Sequence, residues 1–99
     1  MTIKLVNRGN EGELVMVGRL DSTNAEEAHE IFQQMAAKFE TLILNFAQLD
    51  YISSAGLRSL KRLYVTMQKK QGQLILRGAN PYVTEVMEMT GFASMFRMK

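Results

Sequence analysis

Cysteine and tryptophan are absent from this 99-residue chain, which contains only one proline and one histidine. The lack of cysteine excludes a disulfide framework and thiol chemistry, and it suits a reducing compartment. One histidine cannot supply the converging ligands of a metal site, so we expect no metal and no other cofactor. No apolar run approaches the roughly 20 residues of a membrane span, and no signal-peptide pattern is present, so we expect a cytoplasmic protein.

The net charge of the chain is also small. The sequence contains twelve Lys and Arg residues and ten Asp and Glu residues, which gives a net charge of +2. This excess of positive charge is too small to indicate a nucleic-acid-binding surface. The two glycine-rich phosphate-binding motifs, Gly-x-x-x-x-Gly-Lys-Ser/Thr and Gly-x-Gly-x-x-Gly, are both absent from the sequence, so nucleotide binding has no support. With 46% hydrophobic and 22% charged residues, the chain has the composition of one folded domain, which we assign to residues 1–99.

The hydrophobic pattern predicts strands and helices in alternation. Two strands, Thr2 to Asn7 and Leu14 to Val17, should form a hairpin, with Gly18 ending the second. An amphipathic helix, the buried strand Thr41 to Phe46, a second helix, the strand Gln73 to Arg77 and a third helix should follow. A short turn or strand is expected in residues 92–98. This order predicts an α/β domain with a mostly parallel sheet and one antiparallel edge.

Two polar segments follow predicted strands. Asp21 to Asn24 precedes the first helix, and Ser53 to Gly56 precedes the second. Since parallel strands end at the same edge of a sheet, these corners should be neighbours. Helix capping by Asp21 and Ser53 is the simpler explanation of these residues. The alternative is a phosphorylation switch, because a helix N-terminus tolerates a phosphate that would repel Asp21 or an acidic partner.

Catalysis has weaker support. Ser54, His29 and Asp21 could be combined into a hydrolase triad on paper, but ISSAG is not the Gly-x-Ser-x-Gly nucleophile elbow. His29 is expected to lie on the polar side of the first helix, as a surface residue. The basic residues Lys61, Arg62, Lys69 and Lys70 are interpreted as a solvated helix face. We therefore expect a binding protein and no enzyme.

The chain as a whole resembles the STAS domain family of anti-sigma factor antagonists and sulphate-transporter domains. The resemblance lies in three segments that occur in the family's order and spacing: VGRLDSTNAEE, LILNFAQLDYISSAGLRSLKRLY and VMEMTGFASMF. It implies a mixed four- to five-stranded sheet with the helices packed on one face, which agrees with the pattern above.

The resemblance also implies a function. Stand-alone bacterial members bind an anti-sigma factor, often a serine kinase, and so release a sigma factor; phosphorylation of one serine abolishes binding and a phosphatase restores it. Alignment on Gly56 and Leu57 places the acceptor at Ser54, with Ser53 as second choice because it replaces the usual acidic neighbour. Arg58 stands where many members have a small residue. The alternative is an unphosphorylated, constitutive subunit or scaffold of a transport ATPase or signalling complex.

The residues that the resemblance assigns to partner binding surround the two corners. They are Asp21, Ser22, Thr23, Asn24, Ser53, Ala55, Gly56, Leu57 and Arg58.

Overall fold

The computed structural model describes residues 1–94 in full and the backbone of the two-residue strand Arg97–Met98. The elements in chain order are β1 (Thr2–Arg8), β2 (Glu11–Leu20), α1 (Ala25–Lys38), β3 (Thr41–Ile52), α2 (Ser54–Lys69), β4 (Gln73–Arg77), α3 (Pro81–Met89), a 3-10 turn (Phe92–Ser94) and β5 (Arg97–Met98). The predicted order is confirmed. Residues 95 and 96 of the expected final turn or strand lie outside the described residues.

The sheet has the strand order β1-β2-β3-β4-β5, with β3 in the centre. Among the strand pairs that the structure describes, β1–β2 alone is antiparallel, and its hairpin closes at Arg8 and Glu11 through Gly9, which has a positive φ of 80°. The other pairs are parallel. Because each right-handed crossover advances by one strand in the same direction, every connecting helix lies on the same face of the sheet.

One hydrophobic core between that face and the three helices holds the domain together. Alternate residues of the strands point into it, as the period of a strand requires. The core residues that are completely or almost completely buried include Leu14, Met16, Leu42, Leu44, Phe46 and Leu76 from the sheet and Phe32, Leu60, Leu63, Val83 and Met87 from the helices. The single described layer of helices agrees with the expected architecture.

The opposite face of the sheet contains a buried acid that the sequence pattern did not indicate. Glu13 is 2% exposed; its carboxylate forms an ion pair with Arg8 at 2.9 Å and accepts hydrogen bonds from Arg77 at 3.1 Å and from Asn45 at 2.9 Å. Two cations and an amide compensate the charge of Glu13, which would otherwise be costly to bury.

Two strands extend beyond their predicted ends. β2 continues past Gly18 to Leu20, and β3 continues past Phe46 to Ile52. The prediction that Gly18 ends β2 was wrong, because Gly18 adopts a φ of 107° at an irregularity and pairing with β3 resumes after it. The side chains of the added residues do not follow the hydrophobic alternation of a strand. Both strands continue through them because their backbones remain hydrogen-bonded to each other. The extension determines where the two polar corners lie.

Candidate functional site

The two polar corners meet at the carboxyl edge of the sheet. Leu20, the last residue of β2, is the register partner of Ile52, the last residue of β3. The Ser53 backbone N–H donates to the Leu20 carbonyl oxygen at 2.9 Å. A backbone hydrogen bond therefore joins the start of α2 to the segment that begins with Asp21, and the two corners form one surface.

Gly56 allows the first turn of α2 to lie against β2. A Cβ at this position would lie 2.8 Å from the Leu20 Cγ atom and 2.9 Å from both Ile52 Cγ1 and the Leu20 carbonyl oxygen. Real Cβ atoms are not found at such distances, and the carbonyl oxygen is already fixed by its bond from Ser53. The requirement for glycine here comes from this close approach.

The neighbouring serines have different environments. Ser53 is the N-cap residue of α2, and its Oγ accepts from the Gly56 N–H at 3.2 Å, which confirms the predicted cap. Ser54 occupies the first helical position and is exposed. Within the described part of the chain its hydroxyl has no hydrogen-bond partner. Ser53 therefore has a structural role, whereas the hydroxyl of Ser54 is available to another molecule.

Asp21 closes a turn and does not cap α1, so the expectation of capping was wrong. Its carboxylate accepts from the Thr23 hydroxyl at 2.6 Å and from the Thr23 N–H at 3.0 Å. The residue at the N-cap position is Asn24, whose side chain bonds back to the Asp21 N–H and to the Arg19 carbonyl instead of to α1. The hydrogen bonds from Thr23, with a smaller contribution from Arg19, lower the pKa of Asp21 below its usual range.

A shallow groove of about 270 Å³ separates the starts of α1 and α2. Small side chains form much of its lining, and arginines lie along it: its residues are Ser22, Ala25, Glu26, Ala55, Arg58, Ser59 and Arg62. Arg62 is paired with Glu26 at 3.3 Å, and both side chains are mostly exposed. Arg58 is exposed and has no ion pair within the described residues.

Not every residue assigned to partner binding presents its side chain to solvent. Gly56 and Leu57 are buried, and Leu57 belongs to the hydrophobic core. These two residues lie in the interior below the surface and pack under its exposed residues. The surface itself is formed by the exposed or half-buried residues Asp21, Ser22, Thr23, Asn24, Ser53, Ser54, Ala55 and Arg58.

An aromatic stack at the same edge was missed by the sequence reasoning. The Tyr51 and Tyr82 rings lie 5.9 Å apart at an interplanar angle of 12°, and the Arg19 guanidinium carbon lies 4.1 Å above the Tyr51 ring. Arg19 also approaches Asp21 at 3.9 Å. The stack joins the ends of β2 and β3 to the start of α3, and no short-range sequence pattern links these three residues.

Two other helix residues were expected at the surface. His29 is half-buried and therefore partly exposed as expected, but its Nδ1 atom is buried without a hydrogen-bond partner in the described structure. Lys70 was assigned to a solvated face, but its Nζ donates to the carbonyl oxygens of Ala36 and, at 3.0 Å, Phe39. It satisfies carbonyl groups at the end of α1, because α1 and α2 run parallel and their C-terminal ends lie side by side.

The described residues contain no cluster of three or more His, Cys, Asp or Glu side chains able to hold a metal ion. No helix in residues 1–94 is both long enough and apolar enough to cross a membrane.

Comparison with known proteins identifies the family. The model of the STAS domain matches residues 3–99. The chain belongs to the STAS domain family. This STAS domain is 36% identical over 97 residues to BtrV of Bordetella bronchiseptica, which is named as a candidate anti-sigma factor antagonist; the match covers 95% of this chain and 84% of BtrV.

Solved structures share the fold of this STAS domain. The anti-sigma factor antagonist SpoIIAA in its unphosphorylated form has a TM-score of 0.80 at 19% identity, covering 99% of this chain and 87% of SpoIIAA. The phosphorylated form of SpoIIAA, a Bacillus cell fate determinant, gives a TM-score of 0.79 at 18% identity, covering 99% of this chain and 91% of the other. The expected mixed sheet of four to five strands, with helices on one face, is thus the architecture of the SpoIIAA structures.

Proposed function

We propose that this STAS domain is an anti-sigma factor antagonist controlled by phosphorylation of Ser54. When unphosphorylated, it binds an anti-sigma factor that is a serine kinase and so releases a sigma factor. The kinase transfers the γ-phosphoryl group of ATP to the Ser54 oxygen, which loses its proton as the bond to ADP breaks, and the complex dissociates. A serine phosphatase restores the antagonist.

The observation that carries the proposal is the environment of Ser54. Its hydroxyl is exposed and forms no hydrogen bond within the described residues, whereas the hydroxyl of Ser53 caps α2. A kinase can therefore modify Ser54 without breaking a hydrogen bond of the fold. The similarity to BtrV, named as a candidate antagonist, and to SpoIIAA, solved with and without phosphate, supports an antagonist that is controlled by phosphorylation.

The chemistry of the corner also supports a switch. A phosphate adds a charge of about −1.5 to −2 next to a surface that contains Asp21, whose low pKa keeps it ionised. An acidic group of the partner docked on this corner would then meet like charge, which costs several kcal/mol in an interface. The helix itself tolerates the phosphate at its first residue.

The decisive experiment is phosphorylation by the cognate anti-sigma factor with ATP, followed by mapping of the phosphate by mass spectrometry. We expect phosphate on the wild type and on Ser53→Ala, and none on Ser54→Ala. Phosphate confined to Ser53 would reassign the acceptor. No phosphate on either serine would remove the switch and favour the constitutive scaffold.

Binding measurements test the consequence of the modification. Ser54→Ala should bind the anti-sigma factor like the unmodified wild type and keep binding in the presence of ATP. Ser54→Asp should bind at least about tenfold more weakly, which corresponds to about 1.4 kcal/mol. Equal affinity of the two variants would contradict the proposed mechanism.

A further inference from the structure

The face of α2 that begins at Ser54 carries an unpaired cation one helical turn away. Arg58 follows Ser54 by four residues, so both side chains lie on the same side of the helix, about 6 Å apart along its axis. The extended side chain of an arginine spans that distance. In the described residues Arg58 makes no hydrogen bond or ion pair, and its side chain is exposed.

The other cations near this corner are more distant or already engaged. Lys61 lies seven residues after Ser54, which is about 10 Å along the helix axis. Arg62 lies one residue farther on and pairs with Glu26 at 3.3 Å. Arg19 is engaged with the Tyr51 ring and with Asp21. Of the cationic side chains that the structure describes, Arg58 is therefore the one best placed to meet a charge that develops on Ser54.

We propose that Arg58 is a second component of the switch: it pairs with the phosphate on Ser54 and is thereby withdrawn from the groove between α1 and α2. A phosphoserine and an arginine at a spacing of four residues are neighbours on a helix, and the guanidinium fork matches phosphate oxygens. This inference rests on the proposed phosphorylation of Ser54. It adds that phosphorylation also removes a positive charge from the surface offered to the partner.

The position of Arg58 in the groove explains why its withdrawal matters. It lines the groove with the small residues Ser22, Ala25 and Ala55, which leave room beside it for a partner side chain. An unpaired guanidinium there suits a carboxylate of the partner. Phosphorylation then acts twice, by adding negative charge at Ser54 and by engaging the cation that would otherwise bind the acidic group.

The test installs phosphoserine at position 54 of the full chain during translation, so it does not depend on the kinase. Phosphorus NMR titrations would compare the wild type with Arg58→Gln and with Lys61→Gln, a matched loss of one exposed charge on the same helix. Pairing with Arg58 favours the dianion, so Arg58→Gln should raise the second pKa of the phosphate by about 0.2 to 0.4. Lys61→Gln should leave it near the wild-type value.

The outcomes separate this inference from the proposed function. An unchanged phosphate pKa in Arg58→Gln, or an equal rise in Lys61→Gln, would overturn capture by Arg58 even if the kinase modifies Ser54. Conversely, the pKa difference would appear with installed phosphoserine even if the kinase failed to act. In binding assays, Arg58→Gln should weaken the unphosphorylated complex about threefold or more; unchanged affinity would overturn the proposed contact with the partner's acid.

Discussion

The close packing of Gly56 against β2 gives a quantitative prediction for the substitution Gly56→Ala. In an ordinary helix this change is stabilising by up to about 1 kcal/mol, because alanine has the higher helix propensity. Here the new Cβ would lie 2.9 Å from the Leu20 carbonyl oxygen and 2.8 Å from the Leu20 Cγ atom. The oxygen cannot easily move, since it accepts the 2.9 Å hydrogen bond from Ser53.

We expect the steric effect to exceed the gain in helix propensity. Overpacking of a tight contact costs about 1 to 3 kcal/mol, so Gly56→Ala should reduce the free energy of unfolding by about 1 to 2 kcal/mol. For a domain of this size that corresponds to a fall in Tm of roughly 5 to 15 °C. Thermal and urea unfolding, followed by circular dichroism, would measure the change.

The matched control is Ser54→Ala, two residues away in the same turn of α2. Ser54 is exposed and its hydroxyl is unbonded within the described residues, so this change should alter the free energy of unfolding by less than about 0.5 kcal/mol. If Gly56→Ala were as stable as the wild type or more stable, the close approach of α2 to β2 would not be what requires glycine at this position.

Three further predictions concern the same region and its supports. Ser53→Ala should cost about 1 kcal/mol of unfolding free energy through loss of the N-cap, measured by urea titration against Ser54→Ala; equal stability would refute the cap. Lys70→Met should cost about 1 kcal/mol because carbonyls at the end of α1 lose their donor, whereas Lys69→Met should cost little; similar losses would contradict this role. The pKa of Asp21 is lower in the folded chain than in the unfolded chain. Its carboxylate therefore stabilises the fold at pH values above the unfolded pKa, and this stability is lost as the pH falls through the folded pKa. Wild type should therefore lose stability more steeply than Asp21→Asn below about pH 4, and parallel pH profiles would refute the turn's contribution.

Much of the fold could be predicted because its signals are local. The alternation in β1 and β2, the apolar run at the start of β3 and the periodic apolar faces of the helices each lie within one segment. The cap at Asn80 is equally local: its side chain accepts from the Val83 N–H at 2.7 Å, and proline occupies the first helical position. The ends of β2 and β3 were misjudged because backbone pairing between distant segments, and no side-chain pattern, extends them.

The same distinction between local signals and contacts of distant segments applies to the candidate site. The sequence by itself indicated two polar corners at strand ends, a serine that caps α2 and a resemblance to a family in which some members are phosphorylated on a serine there. Only the tertiary structure separated Ser53, whose hydroxyl is engaged, from Ser54, whose hydroxyl is exposed. It also showed that Asp21 closes a turn, that Lys70 serves α1, and that Arg19, Tyr51 and Tyr82 form a stack. Such contacts join residues that are distant in the chain, and their geometry depends on how the strands and helices pack.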